Sequence, residues 1–251
     1  MTTLNSPLFP MRLAMGTLLT TALLLSAGCA TRPGGDPRDP IEPFNRSIAK
    51  FNDAADRVVL KPIATGYVQL VPDLVRTGVN NFFSNLGDAW TFVNTVLQLK
   101  PQEAGETAVR LGVNTLFGLG GLLDIASEAG IPKHKEDFGL TLGRWGVGAG
   151  PYVVLPLLGP STLRDSVAFG IEANGNMLRR VDSEPLRSGL YVLNAVDTRA
   201  TYLQAGNVLE EAALDKYTFT RDIYLQRRRS LITSGESSPE QDNPAADEPK
   251  K

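Results

Sequence analysis

The sequence predicts an all-α protein, and three observations carry that prediction. Apolar residues recur every three or four positions through most of the chain, which is the period of an amphipathic helix. Strict alternation of apolar and polar residues, the sign of a half-buried strand, never continues for more than a few residues. Proline and glycine stand where the helical runs begin or end. We therefore expect short amphipathic helices joined by loops.

The first 28 residues have the pattern of a secretory signal peptide. Arg12 precedes an apolar run over residues 13–25, which is shorter than the ~20 residues that a spanning helix needs. The run leads into Ser26-Ala27-Gly28-Cys29, which resembles the bacterial lipobox that precedes an acylated cysteine. Cys29 is therefore the predicted lipidation site. Ala30 follows it, and by resemblance to bacterial sorting rules this favours the outer membrane.

The mature chain divides into three parts. Residues 29–43 are rich in proline and glycine and are predicted to be an acylated tether. Residues 44–232 carry the helical period and form one predicted domain. Residues 233–251 lack an apolar face and are predicted to be a disordered acidic tail. Met1 and Met11 are alternative starts of translation.

Three apolar stripes predict helices in the first half of the domain. The first begins at Phe44, the second begins after Pro72, and the third begins at Gly87-Asp88. The stripe residues are Phe44, Ile48, Phe51, Ala55 and Val58, then Leu74, Val75, Val79, Phe82, Phe83 and Leu86, then Trp90, Val93, Val96 and Leu97.

Three further helices are predicted in the second half. Thr162 and Asp165 have the spacing of a capping box and are expected to open one of them. A long helix is expected to pass through Leu190 and to end near Tyr217, and a shorter one is expected over residues 219–232. The shorter helix carries four arginines that are expected to form a solvated face: Arg221, Arg227, Arg228 and Arg229.

Residues 145–163 are a run of 19 uncharged residues, long enough to cross a bilayer as a helix. Their glycines and prolines exclude such a helix, and Pro151 and Pro156 leave the segment between them extended at most. Irregular apolar backbone survives near lipid only inside protein or beside a polar cavity. A buried hairpin in a soluble core is one interpretation. The lipid anchor favours the other, a body embedded in one leaflet without spanning the membrane.

Composition and motifs exclude several classes of function. The chain has 25 Lys and Arg against 27 Asp and Glu, so it lacks the basic excess that nucleic-acid binding requires. One cysteine and one histidine are too few for a disulfide or a Cys/His zinc site. Phosphate-binding and dinucleotide-binding glycine motifs are absent from the sequence. No metal, cofactor or nucleic-acid partner is predicted.

No catalytic signature is found either. Ser161 does not stand in a G-x-S-x-G nucleophile elbow. His134 lies in the charged run Pro132-Lys133-His134-Lys135-Glu136-Asp137, which is typical of a solvated loop. A non-enzymatic role is predicted, and an acyl hydrolase that uses Ser161 and His134 is kept as an alternative.

Several motifs in consecutive order resemble the MlaA (VacJ) family of phospholipid-transport lipoproteins. The resemblance extends from the lipobox to about Ile232. The motifs that carry it are Asp39-Pro40-Ile41-Glu42-Pro43-Phe44-Asn45-Arg46 with Phe51-Asn52, Asn80-Asn81-Phe82-Phe83-Ser84-Asn85-Leu86, Asn114-Thr115-Leu116-Phe117-Gly118, Asp137-Phe138-Gly139-Leu140-Thr141-Leu142-Gly143-Arg144-Trp145-Gly146, Gly150-Pro151-Tyr152-Val153-Val154-Leu155-Pro156 and Gly159-Pro160-Ser161-Thr162-Leu163-Arg164-Asp165.

The resemblance implies a single ring-like domain in the inner leaflet of the outer membrane of a Gram-negative bacterium, beside a trimeric porin. Such proteins remove mislocalised phospholipids from the outer leaflet and pass them through an amphipathic channel to a periplasmic lipid carrier of the Mla pathway. A structural, porin-associated lipoprotein is the alternative. Trp145 and Tyr152 are expected at the lipid–water interface. The implied channel residues are Trp145, Gly146, Gly148, Gly150, Pro151 and Tyr152, and the motif or gating candidates are Phe44, Asn45, Phe51 and Asn52.

Overall fold

The computed structural model describes residues 35–206 and 214–234. The predicted signal peptide 1–28, the acylation site Cys29 and residues 235–251 of the predicted tail lie outside the described residues. Within them, helices dominate and one antiparallel hairpin is present, which confirms the all-α class. The helices are α1 (Glu42–Ala55), α2 (Lys61–Leu70), α3 (Asp73–Leu97), α4 (Pro101–Leu116), α5 (Ile125–Glu128), α6 (Phe138–Arg144), α7 (Leu163–Gly175), α8 (Glu184–Thr201) and α9 (Lys216–Ser234), and the strands are β1 (Tyr152–Leu155) and β2 (Gly159–Thr162).

Three prolines mark the boundaries of the first two helices. Pro43 stands in the first turn of α1, where its missing N–H leaves no hydrogen bond unmade. A five-residue π turn, Asp56–Leu60, joins α1 directly to α2 and ends just before Pro62. Val71 precedes Pro72 and is extended, with ψ 123°, so α2 ends there.

The second and third predicted helices are one helix, so the predicted start at Gly87-Asp88 is wrong. α3 runs without a break for 25 residues. Asp88 does not cap a helix because its side chain is buried and one of its oxygens lies 3.8 Å from Nε of Arg110 on α4. Gly87 within a helix costs about 1 kcal/mol relative to alanine, which the packing of α3 against α4 outweighs.

The boundaries of the last two long helices also differ from the prediction. α8 ends at Thr201, and Tyr217 belongs to the first turn of α9. Asp215 accepts hydrogen bonds from the N–H groups of Tyr217 and Thr218 and thereby opens α9 three residues earlier than expected. α9 continues to Ser234, so residues 233 and 234 are helical rather than part of the tail.

The uncharged segment forms a hairpin between α6 and α7. β1 and β2 are antiparallel, with Tyr152 opposite Thr162 and Leu155 opposite Gly159. The expectation that residues 152–155 are extended at most understated this pairing, because a proline on each flank still permits a four-residue strand in a two-stranded sheet. Thr162 accepts a hydrogen bond from the N–H of Asp165 at 3.2 Å, which confirms the predicted cap of α7.

Candidate functional site

Polar residues outnumber apolar ones in the interior. Within residues 35–206 and 214–234, 18 polar or charged residues and nine hydrophobic residues are buried, and four of the nine are alanines. The interior of a protein surrounded by water shows the opposite preference. The buried polar and charged residues are Asp39, Asn45, Asn85, Asp88, Thr91, Asn94, Thr95, Thr107, Arg110, Asn114, Glu136, Thr141, Ser161, Thr162, Arg164, Asp165, Asp197 and Arg221.

Helices α1 and α3 expose apolar side chains and bury polar ones. The buried residues of α3 are all polar, whereas Leu74 at its start is 80% exposed. On α1, Asn45 is fully buried while Phe44 and Phe51 are more than half exposed. Exposed leucines also stand at loop tips, and the backbone φ is positive at Leu99, Leu119 and Leu157. A broad exposed apolar surface is typical of contact with a membrane or a partner protein. None of the described helices combines the length and the hydropathy that crossing a membrane requires.

Two asparagines of α1 bind the hairpin. Asn45 donates to the carbonyl of Tyr152 at 2.9 Å and accepts from the N–H of Val154 at 2.9 Å. Seven residues later, on the same face of the helix, Asn52 donates to the carbonyl of Leu155 at 2.9 Å and accepts from the N–H of Leu157 at 2.7 Å. Each side-chain amide thus takes the place of a neighbouring strand, so α1 completes the hydrogen bonding of β1.

Asp39 joins this contact to the last helix. Its buried carboxylate accepts from Nδ2 of Asn45 at 2.8 Å, from the hydroxyl of Tyr217, and from Nη1 of Arg221 at 3.4 Å. Burial and the hydrogen bond to Asp39 raise the pKa of Tyr217. The carbonyl of the preceding residue, Arg38, accepts from the N–H of Tyr152 at 2.8 Å. Residues 36–43 therefore bond the hairpin and α9 and include the start of α1, so the prediction that they belong to the tether is wrong.

Of the two aromatic residues predicted at the interface, Trp145 is exposed and Tyr152 is not. The Trp145 ring is 56% exposed, and its Nε1 donates to the carbonyl of Leu97 at 3.2 Å. Tyr152 is 1% exposed, and its ring packs edge-on against Tyr217 and Tyr224. Burial raises the pKa of Tyr152 to about 12. Strand β1 turns this side chain inward, so Tyr152 supports the hairpin from within and does not lie at a surface.

The glycine candidates lie along the exposed approach to β1. Gly146 has φ +90° and Gly150 has φ +68°, conformations that residues with a side chain rarely adopt. A Cβ at Gly146 or Gly148 would meet no atom within 4 Å, whereas one at Gly150 would lie 3.1 Å from Cβ of Leu163. Pro151 accepts from the N–H of Leu163 at 3.0 Å and so fixes the end of this segment. Gly146 and Gly148 therefore border open space, while Gly150 is packed.

A chain of hydrogen bonds crosses the interior between α3 and α6. Thr141 donates to Oδ1 of Asn94 at 2.7 Å, and Nε2 of Gln98 donates to Thr141 at 2.9 Å and to Glu136 at 3.0 Å. Lys100 donates to the same carboxylate at 2.7 Å. Oε1 of Gln98 is buried and has no hydrogen-bond partner among the described residues. The interior between α3 and α6 thus contains an unpaired acceptor beside several paired polar groups.

Of the four arginines of α9, Arg221 is buried and the side chain of Arg228 is only 12% exposed, so the predicted solvated face is wrong for these two. Nη2 of Arg221 lies 3.2 Å from Asp36. Arg228 donates to both oxygens of Asp137 and to Asp165 at 3.0 Å. Burial disfavours the charge of Arg228, but these carboxylates outweigh burial and raise its pKa. Arg227 and Arg229 are exposed as predicted. α9 is therefore fixed by ion pairs to the elements on both sides of the hairpin.

The residues of the alternative hydrolase have other contacts. The hydroxyl of Ser161 bonds Ser166 at 3.0 Å and the carbonyl of Thr162 at 3.2 Å. His134 contacts Glu106 through Nε2, and its Nδ1 lies 3.8 Å from Glu103. His134 therefore lies in a loop, as predicted, but its side chain is only 12% exposed because it packs against glutamates of α4. In the described part of the chain, no group of three or more His, Cys, Asp or Glu residues is arranged to hold a metal ion.

The sequence does not predict that Asp39, Asp137 and Asp165 assemble the site. Each lies in one of the family motifs, but charged residues are ordinarily solvated, and the partners of these carboxylates lie up to 182 residues away. The four arginines of α9 were the available signal, because a helix that ends in arginines needs carboxylates somewhere when it packs.

Comparison with known proteins matches this arrangement. The model of the family described as MlaA lipoprotein matches residues 37–231. The intermembrane phospholipid transport system lipoproteins MlaA of Shigella flexneri and Escherichia coli (strain K12) are each 35% identical over 240 residues, which is 94% of this chain and 94% of theirs. The Haemophilus influenzae protein of that name is 33% identical over 227 residues, covering 87% of this chain and 90% of its own. A solved structure from work described as "Structural basis for maintenance of bacterial outer membrane lipid asymmetry" aligns with a TM-score of 0.69 at 35% identity, over 78% of this chain and 99% of that one.

Proposed function

The chain belongs to the MlaA lipoprotein family, and from that premise we propose that it removes mislocalised phospholipids from the outer leaflet of the outer membrane. In this proposal the lipids pass through a polar-lined channel in the helical domain to a periplasmic carrier of the Mla pathway. The protein is held on the periplasmic side of the outer membrane by acyl chains on Cys29, and its ring-like body lies in the inner leaflet beside a trimeric porin. The family relatives named for intermembrane phospholipid transport support this assignment.

One observation carries the proposal: the polarity of the described domain is inverted. An apolar exterior is favourable among acyl chains, whereas a polar interior offers hydrogen-bond partners to a phospholipid head group. Burying 18 polar residues without such a purpose costs free energy for each group that is not fully paired. The unpaired buried oxygens Oε1 of Gln98 and Oδ1 of Asn85 are acceptors for the ammonium or hydroxyl groups of head groups.

We assign the hairpin and the segment before it to one side of the channel. Gly146 and Gly148 border open space. The N–H of Gly146 donates to the carbonyl of Gly143 at 3.1 Å, so in this proposal the N–H of Gly148 is the one that meets a phosphate. Asn45 and Asn52 hold β1 against α1, so the position of the hairpin depends on α1. Phe44 and Phe51 are exposed beside these asparagines and face the acyl chains in this proposal.

The proposal is tested in the source bacterium by deleting the gene and labelling surface phosphatidylethanolamine with an amine-reactive dye that does not cross membranes. The deletion is expected to raise the labelled fraction, and the wild-type gene supplied in trans should restore it. A Cys29→Ala gene should fail to restore it, because the protein would then lack its anchor. An unchanged labelled fraction in the deletion strain would contradict lipid removal and favour the structural, porin-associated role.

A further inference from the structure

The helix that carries Asn45 and Asn52 does not end at Ala55. α1, the π turn Asp56–Leu60 and α2 form one continuous helical rod, within which the hydrogen-bond register changes. The N–H of Lys61 donates to the carbonyl of Asp56, five residues earlier instead of four. A π turn contains one residue more than an α-helix needs for the same path, and such turns often occur at functional sites.

Pro62 explains why the register changes here. It has no N–H to donate to the carbonyl of Val58, and in an α-helix its ring would clash with that carbonyl. The π turn spares the helix this clash. None of its five residues is buried, and the side chain of Val58 is 74% exposed. Side-chain packing therefore does not fix the angle between α1 and α2.

The two ends of this rod are attached to different parts of the molecule. α1 bonds the hairpin through its asparagines, and it bonds the start of α9 through Arg46 and Asp215, 2.7 Å apart, and through Asp53 and Lys216, 2.8 Å apart. α2 packs on α8, where the hydroxyl of Tyr67 donates to Asp197 at 3.0 Å. The π turn is thus the covalent joint between the group α1–hairpin–α9 and the pair α2–α8. The pair also contacts α3, because Nδ2 of Asn80 donates to Asp197 at 3.1 Å.

One ion pair reaches from the π turn to the pair α2–α8. Arg199 of α8 donates to both oxygens of Asp56, from Nε at 2.6 Å and from Nη2 at 2.9 Å. Both side chains are partly exposed. A two-point contact of an arginine with a carboxylate fixes orientation as well as distance, and its partial exposure allows water to replace either partner when it opens.

We propose that the π turn Asp56–Leu60 is a hinge about which the pair α2–α8 moves relative to α1, the hairpin and α9, and that the ion pair between Asp56 and Arg199 holds the arrangement of this structure. The movement changes the spacing between the hairpin side and the α2–α8 side of the polar interior. The proposal concerns motion within the domain and stands whether or not phospholipid passes through it.

The hinge is tested by measuring distances between spin labels on the full-length protein in phospholipid nanodiscs. Labels at Lys50→Cys on α1 and Val192→Cys on α8, both exposed positions, report movement across the π turn. Labels at Lys50→Cys and Gln226→Cys, on α1 and α9, are the matched control within one group. We expect two distance populations for the first pair and one for the control pair.

Two variants then separate a hinge from a rigid joint. Deletion of Val59 together with Pro62→Ala removes the extra residue and restores the missing N–H, which gives an uninterrupted α-helix; it should lose one of the two populations. Arg199→Gln should shift the populations toward the arrangement that is minor in the wild type. A single population in the wild type, or populations that neither variant changes, would overturn the proposal. If the deletion variant does not fold, an unchanged distribution in Arg199→Gln overturns it alone.

Discussion

At the scale of single residues, the side chain of Asn45 makes hydrogen bonds that join three segments of the chain. It satisfies a carbonyl and an N–H of β1 and binds the carboxylate of Asp39, all in the buried interior. A single amide supplies both the donor and the acceptor that β1 needs along this edge, and no other residue type of similar shape does so.

Asn45→Ala should lower the free energy of unfolding by roughly 2–4 kcal/mol, because it leaves buried donors and acceptors unpaired. Urea unfolding in mild detergent measures the change. Asn174→Ala is the matched control: Asn174 is exposed on α7 and donates to the carbonyl of Gly170, so its loss should cost less than about 0.5 kcal/mol. Equal losses in the two variants would contradict the role given to Asn45.

The buried carboxyl of Asp197 predicts how the stability of the protein depends on pH. It is buried, and burial raises its pKa, although the hydrogen bonds from Asn80 and Tyr67 oppose the rise. A carboxyl whose pKa is raised on folding stabilises the protein below its unfolded pKa, about 3.9, and loses that contribution as the pH rises through the folded value. Asp197→Asn should therefore melt at a higher temperature than wild type near neutral pH, and the difference should shrink toward about pH 4.

Melting curves from about pH 4 to about pH 8 test this prediction. The exposed Asp182→Asn is the control and should show a small difference that does not change with pH. A difference for Asp197→Asn that is constant with pH, or of the opposite sign, would show that the buried carboxyl is not the cause.

At the scale of elements, the sequence predicts which segments are helical better than it predicts where a helix ends or which of its faces is buried. Stripes of period 3.6 locate α1 and α3, because that period is a property of the local chain. They do not tell that α3 buries its polar face, since direction depends on what surrounds the helix. Gly87-Asp88 was misread as a helix start because the partner of Asp88 is Arg110 on another helix. The cap at Thr162 was predicted correctly because capping is local.

The last helix shows the same limit, because its arginines have the pattern of a solvated face and Arg228 is largely buried. Arg228→Met should lower the free energy of unfolding by about 1–3 kcal/mol, because the buried carboxylate of Asp165 then loses one of its two arginine partners. Arg229→Met, at the exposed neighbouring position, should cost less than about 0.5 kcal/mol. Hydrogen exchange of the α9 amides measures both, and only Arg228→Met should increase it.

In the candidate site, too, features of the local chain were predictable and contacts between distant residues were not. Glycine motifs and the uncharged run located the hairpin segment, because exclusion of charge over 19 residues is visible in the chain itself. The inward direction of Tyr152 was not predictable, because it follows from the pairing of β1 with β2. Nor were the ion pairs of Asp39 and Asp165 with α9, since their partners are far apart in sequence.

At the scale of the whole molecule, the inverted polarity unites these observations. Many large apolar side chains of the described domain are exposed, and most of its buried residues are polar or charged. Such a distribution is favourable when the surroundings are acyl chains, and it is unfavourable in water. The proposed position in a leaflet and the proposed binding of phospholipid head groups both rest on this one property of the fold.

The decisive measurement is native mass spectrometry of the acylated protein released from membranes in mild detergent, with bound phospholipid counted for three forms. Wild type and Gly170→Trp should retain phospholipid, whereas Gly148→Trp should lose it, because its side chain fills open space beside the hairpin. Both glycines are exposed, and a Cβ at either would meet no atom within 4 Å, so both variants should fold. Retention of phospholipid by Gly148→Trp at the wild-type level would contradict the channel assignment, and absence of phospholipid from all three forms would contradict lipid binding itself.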